Sequence, residues 1–153
     1  MKELQRIRIA VGIVIFGLVI SGVTAFPLLH ELNLLARFLG DGDSGLARWI
    51  LTVRDGLEAT YERYPFIAYG TDWLAFAHLM IALFFILPWR DPVRYEGVLK
   101  VGVAASLGVI PLAFLCGPLR GIPLGWRILD GSFGLLCLPP LLFALREVRK
   151  LAA

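Results

Sequence analysis

Four long apolar stretches, at residues 9–29, 71–87, 98–116 and 124–145, alternate with polar segments along the chain. Each approaches the length of about 20 residues that a helix needs to cross a bilayer. The second and third are short, so their polar ends are expected to reach the interface. Pro27, Pro111 and the pair Pro139–Pro140 are kink candidates, tolerable where neighbouring helices cover the freed carbonyls. The connection over 30–69 is too long for a bare turn. From Leu46 its apolar positions fall at Trp49, Ile50, Val53, Leu57, Tyr61 and Tyr64, a helical stripe. The opposite face holds Arg48, Arg54, Asp55, Glu58, Glu62 and Arg63, with Arg54 and Glu58 at the favourable four-residue spacing. The run "DGDSG" at 41–45 supplies turn residues and an N-cap in Asp43 or Ser44. An amphipathic helix over about 45–63 is predicted, lying in the headgroups or capping the bundle. The same run has aspartates at alternate positions, but Leu46 and Thr52 stand where a calcium loop needs glycine and glutamate, so the turn reading is preferred.

Composition agrees with a membrane domain. Hydrophobic residues make up 58% of the 153 and charged residues 18%, with a mean hydropathy of +0.77, too apolar for a soluble domain of this size. The net charge of +3 belongs with the helix ends, and no basic run suggests nucleic acid. Lys2, Arg6 and Arg8 precede the first stretch and Val23–Thr24–Ala25 mimics a cleavage site, yet the apolar run exceeds a signal peptide's, so a retained helix is expected. With the N-terminus inside, the inner segments carry nine basic residues, including Arg90, Arg94, Lys100, Arg146, Arg149 and Lys150. The long outer segments carry six, and the first of them is net acidic. That asymmetry predicts both termini in the cytoplasm. Cys116 and Cys137 lie at different depths and read as small apolar fillers.

The polar residues inside the apolar stretches carry the candidate chemistry. "GTDWLAFAHL" at 70–79 places Asp72 at the mouth of the second stretch and His78 roughly 10 Å deeper than Thr71. The fourth stretch, running in the same direction, has Arg127 at its mouth and Asp130 one turn below. Matching depth predicts Asp72 beside Arg127 and His78 beside Asp130. Small residues flank these positions: Ala75 and Ala82; Gly131, Gly134 and Cys137. Further small-residue stripes lie at Gly17, Ser21 and Ala25 and at Gly102 and Ser106, the kind of surface on which membrane helices approach closely. Together with His30, Glu31 and Arg120 these groups make a candidate polar pocket in the outer half of the bundle, either a binding site or a self-satisfied network that fixes helix register. No cofactor is expected. Haem or a metal at His78 has only His30 as a second histidine, at a different depth, and no metal-ligand spacing supports it. Ser132 or Cys116 with His78 is an unselected nucleophile–base pair, and the halves show no transporter-like repeat.

"GTDWLAFAHL", "WRDPVR" at 89–94 and "GPLRGIPLGWRILDGSFG" at 117–134 together resemble a group of small bacterial integral membrane proteins without an assigned activity. The resemblance covers roughly the second half of the chain. It implies a bacterial inner-membrane location and brings no catalytic residues. The expected fold is a single all-α domain over 1–153, a four-helix transmembrane bundle with an amphipathic interfacial helix on the outer side. The expected function is that of a non-catalytic accessory or binding subunit of a larger membrane complex, with membrane lipids and other membrane-protein subunits as partners. The alternative is a small membrane enzyme or ligand-binding protein whose outer pocket takes a lipid-like or quinone-like molecule.

Overall fold

The computed structural model describes residues 2–39 and 44–152. Of these residues 91% are helical and none is in a strand, which makes the fold all-α. The helices are α1 (Lys2–Ala25), α2 (Leu28–Leu39), α3 (Gly45–Arg63), α4 (Ala68–Arg90), α5 (Glu96–Pro111), the one-turn α6 (Gly117–Leu119) and α7 (Leu124–Ala152). A 3₁₀ turn (Pro65–Ile67) leads into α4, and a π turn (Leu112–Cys116) joins α5 to α6. Four helical runs are long and apolar enough to cross a membrane: Lys2–Ala25, Pro65–Arg90, Glu96–Leu119 and Leu124–Leu151. The chain divides into two compact units, Met1–Leu18 with Ile81–Ala153, and Val19–Met80.

In the larger unit, Ile7, Val11 and Val14 of α1, Phe85 of α4, Leu99 of α5 and Leu141, Ala144 and Val148 of α7 bury one another in a single apolar cluster. The cluster brings the start of α1, the end of α4, the start of α5 and the end of α7 to one end of the unit. Polar ties close that end. Arg8 donates from Nε to the Trp89 carbonyl at 3.1 Å and from Nη2 to the Arg90 carbonyl at 3.3 Å. A helix leaves its last carbonyls without intrahelical donors, and a cation there also meets the negative end of the helix dipole. Glu96 pairs with Lys100 at 3.1 Å and approaches Arg149 at 4.0 Å. The turn between α4 and α5 is held by the Asp91 carboxylate, which accepts from the Arg94 amide at 3.1 Å.

The most extensive helix pairing in this unit is α5 on α7. Here the small residues of the two helices meet at one point, where a Cβ added to Gly134 would run into the Ser106 carbonyl oxygen; a Cβ on Gly102 would instead fall 2.6 Å from the Phe85 ring of α4 and 3.3 Å from Leu141 Cδ1 of α7. Pro111 cannot donate to the ladder of α5, and the helix loosens into the π turn immediately after it. The segment "GPLRGIP" then ends the run by local bonding alone. Ile122 N donates to Gly117 O at 3.0 Å and Gly121 N to Pro118 O at 3.1 Å, with Gly121 at φ +69°. This six-to-one plus five-to-two pair is a Schellman stop, whose left-handed residue favours glycine.

In the smaller unit the expectation of one apolar helix through residue 29 is corrected. The helix ends at Ala25, because Pro27 has no amide hydrogen and its ring crowds the preceding turn. The chain turns at 26–27 and restarts as α2, the Pro27 carbonyl accepting from Glu31 N at 2.9 Å. The 30–69 connection therefore contains two helices of three turns or more, not one. They pack on each other and bury Leu32 and Ala36 of α2 and Ala47 and Ile50 of α3. Ser44 is the N-cap, its hydroxyl oxygen accepting from the Ala47 amide at 3.1 Å. Asp41 and Asp43, the other turn residues of "DGDSG", lie outside the described residues. Within the expected stripe Trp49, Val53, Leu57 and Tyr61 are half-buried, while Leu46 and Tyr64 at its ends are exposed. Arg54 pairs with Asp55 rather than Glu58, Nε donating to Oδ1 at 2.8 Å.

Candidate functional site

The smaller unit carries two grooves that share His30. Pro27 ends α1 and resets the chain direction, so the first turn of α2 projects His30 between them. The first groove, about 220 Å³, has an apolar wall of Phe26, Pro27, Leu29 and Ala68, with Tyr61, Thr71 and Asp72 on its polar side. Tyr61 and Thr71 share a hydroxyl–hydroxyl hydrogen bond of 2.8 Å, which ties the last turns of α3 to the first turns of α4. The second groove, about 450 Å³, runs between α2 and α3 and is lined by His30, Asn33 and Arg37 from one and Arg54 and Glu58 from the other. At about 100° per residue, His30, Asn33 and Arg37 share one face of α2, and Arg54 and Glu58 share one face of α3.

Of the seven residues expected to form a pocket, His30 and Asp72 line a groove together. Glu31, half-buried, lines neither. His78 lies further along α4, where Nδ1–H donates to the Leu74 carbonyl of its own helix at 2.8 Å, leaving Nε2 as the other ring nitrogen. Arg120, Arg127 and Asp130 belong to the larger unit. Arg120 is exposed in the Schellman turn and Asp130 is half-buried. Arg127 lays its side-chain stem across Gly117, where an added Cβ would meet the arginine Cδ at 2.5 Å, and its buried Nε has no hydrogen-bond partner among the described residues. The expected pairs Asp72–Arg127 and His78–Asp130 each draw one residue from each unit. Among the described residues no group of three or more His, Cys, Asp and Glu side chains converges as metal ligands.

The two grooves add Asn33, Arg37, Arg54 and Glu58, and Tyr61 and Thr71, to the candidate residues. The signal for the first two was present in the sequence. Read as a helix, 30–37 places His30, Asn33 and Arg37 at i, i+3 and i+7, but a first helix drawn through residue 29 hides that helix.

Set against known proteins, the chain matches no protein-family model, no curated protein and no solved structure.

Proposed function

We propose that this protein is a non-catalytic binding subunit of a larger complex in the bacterial cytoplasmic membrane, with both termini in the cytoplasm and α3 at the outer surface. The observation that carries the reading is how little apolar surface the spans bury against one another. The most apolar stretch of each is between 17% and 28% buried, the lowest value belonging to the α4 run. Membrane helices exposed to this degree depend on lipid or on other helices for their remaining contacts.

The α4 run has the features of both. Tyr69, Trp73 and Phe76 form an exposed ladder of edge-to-face rings, each neighbouring pair 5.9 Å apart between centroids. Trp89, under Arg8, stands at the other end of the helix. Twenty residues separate Tyr69 from Trp89, roughly 30 Å of helix, the thickness of a hydrocarbon core with an aromatic belt at each face. Rigid aromatic side chains are also favoured anchors in protein interfaces. The ladder is thus suited to seat a partner's transmembrane helix at the outer interface.

A photo-crosslinking residue in place of Trp73, in the full chain in intact cells, tests this. The expected product is a discrete adduct with one membrane protein. Adducts with lipid alone would overturn the subunit role.

A further inference from the structure

We propose that the paired grooves of α2 and α3 bind an amphiphile with a zwitterionic phosphodiester headgroup, namely an amino-phospholipid of the outer leaflet. The inference rests on the membrane placement proposed above and not on the docking of a partner subunit.

The charge pattern selects the headgroup. Arg37 and Arg54 reach the 450 Å³ groove from opposite helices, and guanidinium groups match a phosphodiester's oxygens with directed donors. Asp55, which does not line the groove, accepts from both Nε and Nη2 of Arg54, which fixes the guanidinium before a ligand arrives and leaves its remaining Nη protons for the ligand. Asn33 adds an amide. Glu58 lines the same groove, and its carboxylate opposes a purely anionic head while pairing with an ammonium. With Asp55 counted beside Arg54, two cations and two carboxylates make a near-neutral set, which fits a phosphate that carries an amine on a short linker. The volume lies within the range of about 300–1,000 Å³ found for small-molecule sites.

The neighbouring groove supplies the reason for a lipid. It meets the polar groove at His30, with Phe26, Pro27, Leu29 and Ala68 as its apolar wall and Tyr61, Thr71 and Asp72 on its polar side. Phe26 and Val23, at the end of the apolar helix α1, are exposed beside it in sequence. A ligand occupying both grooves has a charged head on the α2–α3 side and apolar carbons on the α1 side. A soluble phosphate compound has no use for the second groove.

Native mass spectrometry of the full chain in mild detergent, with three probes, tests the proposal: dihexanoyl-phosphatidylethanolamine, dihexanoyl-phosphatidylglycerol and phosphorylethanolamine. Phosphatidylethanolamine is expected to bind about tenfold more tightly than phosphatidylglycerol, as one charge contact of about 1.4 kcal/mol gives. The exposed and isosteric Glu58→Gln substitution is expected to bring the two lipids to similar affinity without disturbing the fold. Arg37→Gln with Arg54→Gln is expected to weaken both by about tenfold or more. Equal binding of the two lipids to the unaltered protein, or undiminished binding to the double variant, would overturn the proposal. Phosphorylethanolamine binding as tightly as the lipid would assign the groove to a soluble phosphate compound and overturn the lipid. None of these outcomes depends on whether Trp73 crosslinks to a partner.

Discussion

At Gly134 one added carbon has nowhere to go. The nearest obstacle is backbone, the Ser106 carbonyl oxygen, with Val109 Cβ 3.1 Å away on the same helix. At Gly102 the obstacle is the Phe85 ring, a side chain that can rotate aside, although Leu141 Cδ1 at 3.3 Å limits the space. Gly108, also on α5, has nothing within 4 Å. Gly134→Ala should therefore destabilise the protein by about 1–3 kcal/mol and Gly102→Ala by less. Gly108→Ala should be neutral or stabilising by up to about 1 kcal/mol through helix propensity. Reversible unfolding in mixed micelles gives the order, and a Gly134→Ala variant as stable as the parent would contradict the close α5–α7 approach. That small residues line helix contacts was legible from the sequence. Which helix they meet was not, because depth along a helix leaves the neighbour open.

At the level of the element, Ser44 holds the first turn of α3 with one hydroxyl. Ser44→Ala should cost about 1 kcal/mol of local stability, while Ser44→Asp should retain the cap. Hydrogen exchange at the Ala47 amide is the direct measurement. Exchange unchanged in the alanine variant would mean that tertiary packing, not the cap, fixes where α3 begins. The start of α3 was readable from "DGDSG" followed by a helical stripe, because capping is local chemistry. The α1–α2 break was harder to place. The apolar run continues across Pro27 through Leu28 and Leu29, so hydropathy carries on where the hydrogen-bond ladder stops. A span drawn across that break hides α2, and with it Asn33 and Arg37 of the polar groove. In the sequence Arg54 and Glu58 read as a helix-surface pair, since nothing local tells a solvated charge from one that lines a groove.

For the whole molecule, the decisive pattern is charge. The segments gathered at one end of the larger unit, namely the start of α1, the α4–α5 turn and the end of α7, hold nine basic and four acidic side chains in the sequence. The remainder of the chain holds six basic and eight acidic. Basic residues near short segments set orientation, so that end should face the cytoplasm. With Cys116 and Cys137 replaced by alanine, a cysteine introduced by Asp55→Cys should react with a membrane-impermeant maleimide in cells with a permeable outer envelope. One introduced by Arg149→Cys should react only after the cytoplasmic membrane is opened. The reverse pattern would invert the topology and remove the outer-leaflet lipid from consideration.

The hold of Arg8 on the end of α4 has a consequence for biosynthesis. The arginine emerges from the ribosome 81 residues before the first carbonyl that it caps. While α4 is being made, α1 can already be resident in the bilayer with a cation waiting at the level where α4 must stop. The last carbonyls of α4 can then acquire their donor as that helix leaves the insertion machinery, ahead of α5 and α7, which follow it in the chain. If the spans insert in order of synthesis, this contact makes α1 the template against which the second span sets its depth.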